Sequence, residues 1–254
     1  MYSIYVVEWQ STNGYSNDSV QNGPFGYERA NRMVYMRSVP LDLNYWKQQL
    51  GEVPESTWEL TGAQTLVLAD NDLHQVSPQI GRMRQLRMLD LGHNSISSLP
   101  DELGNLDQLT DFLYLHDNQL ATLPDSLSNL KRLRYLNISE NRFEILPEVI
   151  YEMTELRELR VSNNQIQSLT ESIERLRSLR ELHLRNNLLT SLPASLSQLP
   201  ELRLIDLRGN PIESLPGTLL SMPKLEKLDL RWVSSLEPTP WLTDLERRGC
   251  TVYR

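Results

Sequence analysis

The sequence predicts an α/β solenoid, in which each coil adds one short strand to a parallel sheet on one side and short helices or 3-10 turns to the other. Three observations carry this. Seven asparagines, Asn71, Asn94, Asn118, Asn141, Asn164, Asn187 and Asn210, follow one another at intervals of 23 residues, with one interval of 24 between Asn94 and Asn118. Each closes the phrase LxxLxLxxN, as in Leu86, Leu89, Leu91 and Asn94 or Leu179, Leu182, Leu184 and Asn187. Behind most of them comes LPxxLxxL, as in Leu99, Pro100, Leu103 and Leu106 or Leu192, Pro193, Leu196 and Leu199. A repeat of this length is one supersecondary unit that cannot bury its apolar face alone, so neighbouring units must stack.

Residues 1–42 do not repeat. Residues 2–9 and 33–39, rich in Tyr, Val, Ile and Met, read as strands, and the stretch 11–31 between them, dense in Ser, Asn, Gly and Gln, as a flexible loop. This predicts a hairpin-like N-terminal cap, with a partner-binding or export segment that orders on contact as the competing reading. The repeats occupy 43–236: an atypical first coil and about seven further ones. In the first coil Leu43, Tyr45, Leu50, Val53 and Pro54 fit the pattern, and Gln48 stands one repeat length before Asn71.

Within each coil the alternation in LxL suits a strand with its leucines turned inward, and LxxLxxL suits one or two turns of helix. The asparagines have a separate duty. Where the chain leaves the strand, buried backbone groups lose their ladder partners, and an Asn side chain donates and accepts at once. The extra residue between Leu109 and Leu113 predicts a bulge where that strand begins. Ser77 and Thr170 replace the usual Pro without shifting the register. Val233 stands where the next Asn is due, so the stack is expected to end near it. Residues 237–254 then form a C-terminal cap, with a helix around Trp241, Leu242 and Leu245 and a last extended piece from Cys250 to Tyr253.

These motifs resemble the leucine-rich repeats, in the short form of Ras-interacting intracellular proteins and many bacterial proteins, from about Leu43 to the C-terminus. The resemblance implies a right-handed horseshoe with the sheet on its concave face. It implies no particular ligand.

The formal charge of −8 over 254 residues argues against a broad electrostatic grip on nucleic acid, whose phosphates need many Lys and Arg. The N-terminus has no basic segment followed by an apolar one, and no apolar run is long enough to span a bilayer, so a cytoplasmic protein is expected, signal-less export remaining open. The single Cys250 cannot close an internal disulfide. There is no Gly-rich phosphate loop, HExxH, paired cysteines or GxSxG elbow, so neither an enzyme nor a bound cofactor is expected. Cys250 beside Arg247 and Arg248 reads as a buried cap residue rather than a reactive thiol. His93 and His116, on adjacent coils near Asp90 and Asp117, read as ordinary hydrogen-bonded surface groups rather than metal ligands, and no metal is expected.

The register also assigns the solvent face, because the three x positions of xLxLx point away from the core together. The first column reads Thr65, Met88, Phe112, Tyr135, Glu158, Glu181, Leu204 and Lys227, and the second Val67, Asp90, Tyr114, Asn137, Arg160, His183, Asp206 and Asp229. The third reads Ala69, Gly92, His116, Ser139, Ser162, Arg185, Arg208 and Arg231. Met88, Phe112, Tyr114 and Tyr135 make an aromatic patch in the N-terminal half, and the C-terminal half is charged.

Exposed rings need a cover or a cross-strand stacking role, and aromatics and Arg dominate binding hot spots. The arginine column reads as a ladder offset by Asp206, Asp229 and Glu181, with an acidic-ligand site as the alternative. The expected function is a non-enzymatic protein-binding scaffold or adaptor, a monomer whose partner lies on the concave face. Its candidate contacts are Met88, Phe112, Tyr114, Tyr135, His116, Arg160, Arg185, Arg208 and Arg231. The alternative is a bacterial effector or inhibitor that blocks a target enzyme with the same surface.

Overall fold

A computed structural model describes residues 41–237 and 239–254. The predicted strands 2–9 and 33–39 and the loop 11–31 lie outside the described residues. Ten strands form one parallel sheet in sequence order: β1 Leu41–Asn44, β2 Ala63–Val67, β3 Met88–Asp90, β4 Phe112–Tyr114, β5 Tyr135–Asn137, β6 Glu158–Arg160, β7 Glu181–His183, β8 Leu204–Asp206, β9 Lys227–Asp229 and β10 Thr251–Tyr253. The first strand begins two residues earlier than the repeat pattern indicates, with Leu41 already paired to Ala63.

Consecutive strands pair with their inward leucines side by side, as in Leu113↔Leu136 and Leu136↔Leu159. The middle residue of each repeat strand from β3 to β9 is fully buried, and so is the residue two after each ladder asparagine, for example Leu73, Ile96, Phe143 and Ile166. These columns form one continuous core. Its apolar burial is the main driving force, at about 25 cal/mol per Å² removed from water.

Opposite the sheet each coil carries one five-residue 3-10 turn, such as Asp101–Asn105 or Ala194–Gln198. The preceding residue, Pro100 or Pro193, has φ −73° or −68°, which proline's ring supplies without cost. Ser77 adopts φ −63° and accepts the Gln79 N–H, and Thr170 adopts φ −84°, so both substitutes keep the turn. Adjacent turns approach closely at Gly104. A Cβ there would lie 2.3 Å from the Ser126 carbonyl oxygen, so only glycine fits.

Each ladder asparagine binds its own turn and the coil before it. The Asn164 amide donates to the Ile138 and Val161 carbonyls at 3.0 and 3.1 Å, and its oxygen accepts the Phe143 N–H at 3.1 Å. The extra residue lies at Thr110. Its carbonyl receives the Arg134 N–H, while the Asp111 and Phe112 N–H groups both reach the Arg87 carbonyl. Two residues thus do the work of one, and the pairing Met88↔Phe112 is intact.

The residue before each ladder position has left-handed backbone: Asp70, His93, Asp117, Glu140, Asn163, Asn186, Gly209 and, before Val233, Trp232. The recurring turn geometry fixes this conformation, and it creates a fourth surface column beside the strands. After β9 a short helix, α1 (Leu242–Arg247), buries Leu242 and Leu245 against the last coil, and β10 pairs with β9. Cys250 is buried between them. Burial raises its thiol pKa more than the Arg248 charge lowers it, so the group is held as an inert thiol.

Candidate functional site

The register brings Phe112, Tyr114 and Tyr135 together on the open face of β4 and β5. Ring centroids are 5.9 Å apart for Phe112–Tyr114, nearly parallel, 5.5 Å for Phe112–Tyr135 and 5.0 Å for Tyr114–Tyr135. Phe112 remains 42% exposed, and Met88 lies beside it on the neighbouring strand. These distances suit offset and tilted aromatic packing. Partial burial raises the Tyr135 hydroxyl to about 12 against the opposing pull of Arg160, and raises Tyr114 as well, with Asp90 and Glu158 adding to the effect. Both rings therefore present neutral hydroxyls.

Arg160 borders the platform, its guanidinium 6.0 Å from the Tyr135 ring and its Nε donating to Glu158 at 2.6 Å. His116 lies on the other side, 6.0 Å from Tyr114, with its ring flat over Gly92, where any Cβ would collide with it. His116 Nε2 meets His93 Nε2 at 3.2 Å, and His93 Nδ1 meets Asp117 Oδ2 at 2.6 Å. Both distances are those of hydrogen bonds, so the pair forms a chain that ends on a carboxylate. Burial, then the His93 charge, lowers the His116 pKa.

Between the two halves, Glu158, Glu181 and His183 place one potential ligand atom each within 4.8 Å of one another. They are the group of described residues whose donors converge as a metal would need. Glu158 is already paired with Arg160, and His183 meets Glu181 at 3.1 Å, so these donors are engaged with one another and with Arg160.

In the C-terminal half the arginine column divides. Arg208 grips Asp206 through Nε at 2.8 Å and Nη2 at 2.6 Å, and Arg231 grips Asp229 the same way at 2.9 and 2.8 Å. These hydrogen bonds keep both guanidiniums protonated beyond the ordinary arginine range. Asp206 and Asp229 are buried, although the register gave them to the solvent face, because the arginines lie over them. Burial alone would raise the Asp229 pKa, but hydrogen bonds from the Arg231 side chain and N–H, with the Arg231 and Arg208 charges, bring it below the usual aspartate value. Arg185 has no ion-pair partner among the described residues, and its Nε is buried without a hydrogen-bond partner.

The sequence columns missed two aromatic residues here. Trp232 is 65% exposed, and its ring lies 5.3, 6.0 and 5.9 Å from the Arg185, Arg208 and Arg231 guanidiniums. Tyr253, on β10, lies 5.1 Å from Arg231. Trp232 stands 23 residues after Gly209, so extending the register to the left-handed column would have found it.

Among the described residues no helix is long and apolar enough to cross a membrane. No curated protein sequence is significantly similar to this chain. Among solved structures it is similar to a Leptospira interrogans leucine-rich-repeat protein, with 24% identity and a TM-score of 0.69 over 84% of this chain and 65% of that one. It is also similar to the leucine-rich-repeat domain of the type III effector XopL, with 25% identity and a TM-score of 0.64 over 82% and 87% of the two chains. The plant peptide hormone receptor RGFR1, in complex with RGF2, matches at 24% identity and a TM-score of 0.61 over 79% of this chain and 41% of the receptor. The chain thus spans less than two thirds of the Leptospira protein and of the receptor. Residues 63–184 match the family described as leucine-rich repeat region, and residues 177–232 the leucine-rich repeat family. With the asparagine ladder and the single parallel sheet, these matches place the chain in the leucine-rich-repeat family.

Proposed function

We propose that this protein is a non-enzymatic binding scaffold whose partner is a protein held on the open, concave side of the sheet. The observation that carries the reading is the aromatic platform of Phe112, Tyr114 and Tyr135, three large rings on the solvent side of a sheet whose core is already filled by leucine. Such a surface gains most of its binding energy when a partner excludes water from it. The charged half guides encounter, because exposed charge acts at long range and is screened by salt.

A second reading, an effector or inhibitor that blocks a target enzyme by the same face, is favoured by the similarity to the XopL domain over most of both chains. The two readings share a surface and differ in what it holds.

The test is surface kinetics with a partner captured on the protein, at two ionic strengths. Tyr114→Ala is expected to cost at least about 2 kcal/mol, chiefly as faster dissociation. Arg208→Ala should slow association at low salt and matter little at high salt. Asp125→Ala, on the 3-10 turn opposite the sheet, is the control. If that control weakens binding more than Tyr114→Ala, the partner lies elsewhere.

A further inference from the structure

We propose that Arg185, seated against Trp232, is the receptor for a single carboxylate of the partner, an Asp or Glu side chain in an acidic segment. The inference rests on the reading of the open face as the partner surface and names the chemistry that face selects.

The molecule supplies its own comparison. Arg185, Arg208 and Arg231 occupy the same column on consecutive coils. Two residues before Arg208 and Arg231, on the same face, stand Asp206 and Asp229, and each guanidinium closes on its aspartate through two hydrogen bonds. Two residues before Arg185 stands His183, which is committed to Glu181 at 3.1 Å and lies 3.8 Å from Glu158. A guanidinium in this column therefore takes the carboxylate that stands two residues before it, and at Arg185 that position holds His183, while the coil's own Glu181 is engaged by that histidine. Arg208 pairs with Asp206 and Arg231 with Asp229, which Lys227 also approaches at 3.9 Å, so among the described residues Arg185 is the guanidinium of these three coils left without a carboxylate. One carboxylate matches the single charge and the planar fork of this guanidinium.

Trp232 is the second observation. Its φ of 63° is left-handed, in a column otherwise held by Asp70, His93, Asp117, Glu140, Asn163, Asn186 and Gly209, most of them types that tolerate such backbone better than tryptophan. A bulky ring in that conformation is strained, and this one is spent in solvent at 65% exposure. What it gains is contact with the arginines, Arg185 nearest at 5.3 Å. A ring beside a guanidinium restrains it while leaving its donor edge for a carboxylate, and offers an apolar wall to the methylenes of Asp or Glu. The chain as a whole carries −8, so it repels acidic partners in general, and capture must come from a local fork of this kind.

The probe is the blocked tripeptide acetyl-Glu-Glu-Glu-amide, with the glutamine analogue as control, added to the full chain. Binding is followed by the ¹H–¹⁵N signal of the Arg185 Nε–H, assigned by its loss in Arg185→Lys. The glutamate peptide is expected to shift that signal with an affinity about tenfold above the glutamine peptide. His183→Asp places in this coil the carboxylate that its neighbours have. It should close the fork and bring the glutamate peptide down to the glutamine level, and because it sets a third carboxylate beside Glu158 and Glu181 its fold is checked first by circular dichroism. If His183→Asp does not fold, Arg185→Gln, read through the remaining arginine signals and Trp fluorescence, must show the same loss.

Equal affinity of the two peptides in the wild type overturns the proposal, as does undiminished glutamate binding in a folded His183→Asp or Arg185→Gln. Tyr114→Ala should leave this titration unchanged while weakening the protein partner. A negative peptide titration with a partner still sensitive to Tyr114→Ala would therefore sink the carboxylate receptor alone, and the reverse pattern would sink the platform reading alone.

Discussion

Tyr114 and Asp206 occupy the same surface column, four coils apart, on strands of the same length and register. Tyr114 belongs to a cluster of rings that leave their faces to solvent. Asp206 is buried beneath the arginine that follows it, and one coil on Asp229 repeats the arrangement. The backbone at the two places is the same. The difference shows that in a stacked repeat the sheet face carries little structural obligation, and that neighbouring columns decide whether a position faces solvent. In the aromatic half the side chains lean on one another. In the charged half they satisfy one another, and among the described residues Arg185 is the arginine of that column left without an ion-pair partner.

The sharpest test of this contrast compares Asp229 with Asp90, its counterpart in the aromatic half. Removing one partner from a fully buried ion pair costs about 3–5 kcal/mol. Arg208 and Arg231 keep access to water, so Asp229→Ala should cost less, about 2 kcal/mol. Among the described residues Asp90 accepts one hydrogen bond, from the Gly92 N–H, and Asp90→Ala should cost about 0.5–1 kcal/mol. Urea melts decide it, and equal costs would mean that the charged half is not internally tied.

The same carboxylate gives a pH signature. Its folded pKa lies below that of the unfolded chain, so its contribution is fully present above about pH 4 and is lost as the pH falls through the folded value. Wild type should therefore lose more stability between pH 5 and pH 3 than Asp229→Asn does.

A second comparison asks whether the frame, as opposed to the face, is uniform. Asn118 and Asn187 sit beneath the aromatic and the charged half, and both donate to three carbonyls, including one in the preceding coil. Replacing either with Ala leaves buried carbonyls and an N–H unpaired, at roughly 1–3 kcal/mol each. The exposed Ser168→Ala should cost about 0.5 kcal/mol or less. A clear difference between Asn118→Ala and Asn187→Ala would show that the face feeds back on the turns beneath it.

The frame was legible in the sequence because it obeys a strict period. Asn71 to Asn210 and the leucines around them name the coil, the turn and the core, and the substitutions at Ser77 and Thr170 fall where the register puts them. Phe112, Tyr114 and Tyr135 were also legible as neighbours, since Phe112 and Tyr135 share a column on adjacent strands and Tyr114 lies two residues from Phe112 on the same face. Side-chain reach was not legible. That Arg208 folds back over Asp206 depends on a rotamer choice among long side chains, and so does the approach of Trp232 to Arg185 across two coils. Counting only the strand positions concealed Trp232, because the left-handed residue before each ladder position also points a side chain along the same edge.

The smallest expected effect lies at the edge of the aromatic half. His116 rests on Gly92 with its Nδ1 buried and without a hydrogen-bond partner, and burial together with the neighbouring His93 lowers its pKa, while Asp90, Glu140 and Asp117 oppose that shift. The unfolded chain, with an ordinary histidine value near 6.5, then binds the proton more readily than the folded one. Stability contributed by the neutral ring is present above that value and is lost as the pH falls below it toward the folded pKa. Because the ring is only partly buried, water screens much of the penalty, and the change in melting temperature from pH 7.5 to 5.5 should be about 1–2 °C larger in wild type than in His116→Asn. A variant that loses as much as the wild type over that range would show that protonation of His116 is accommodated on the open face, and that the chain from His116 through His93 to Asp117 absorbs the charge.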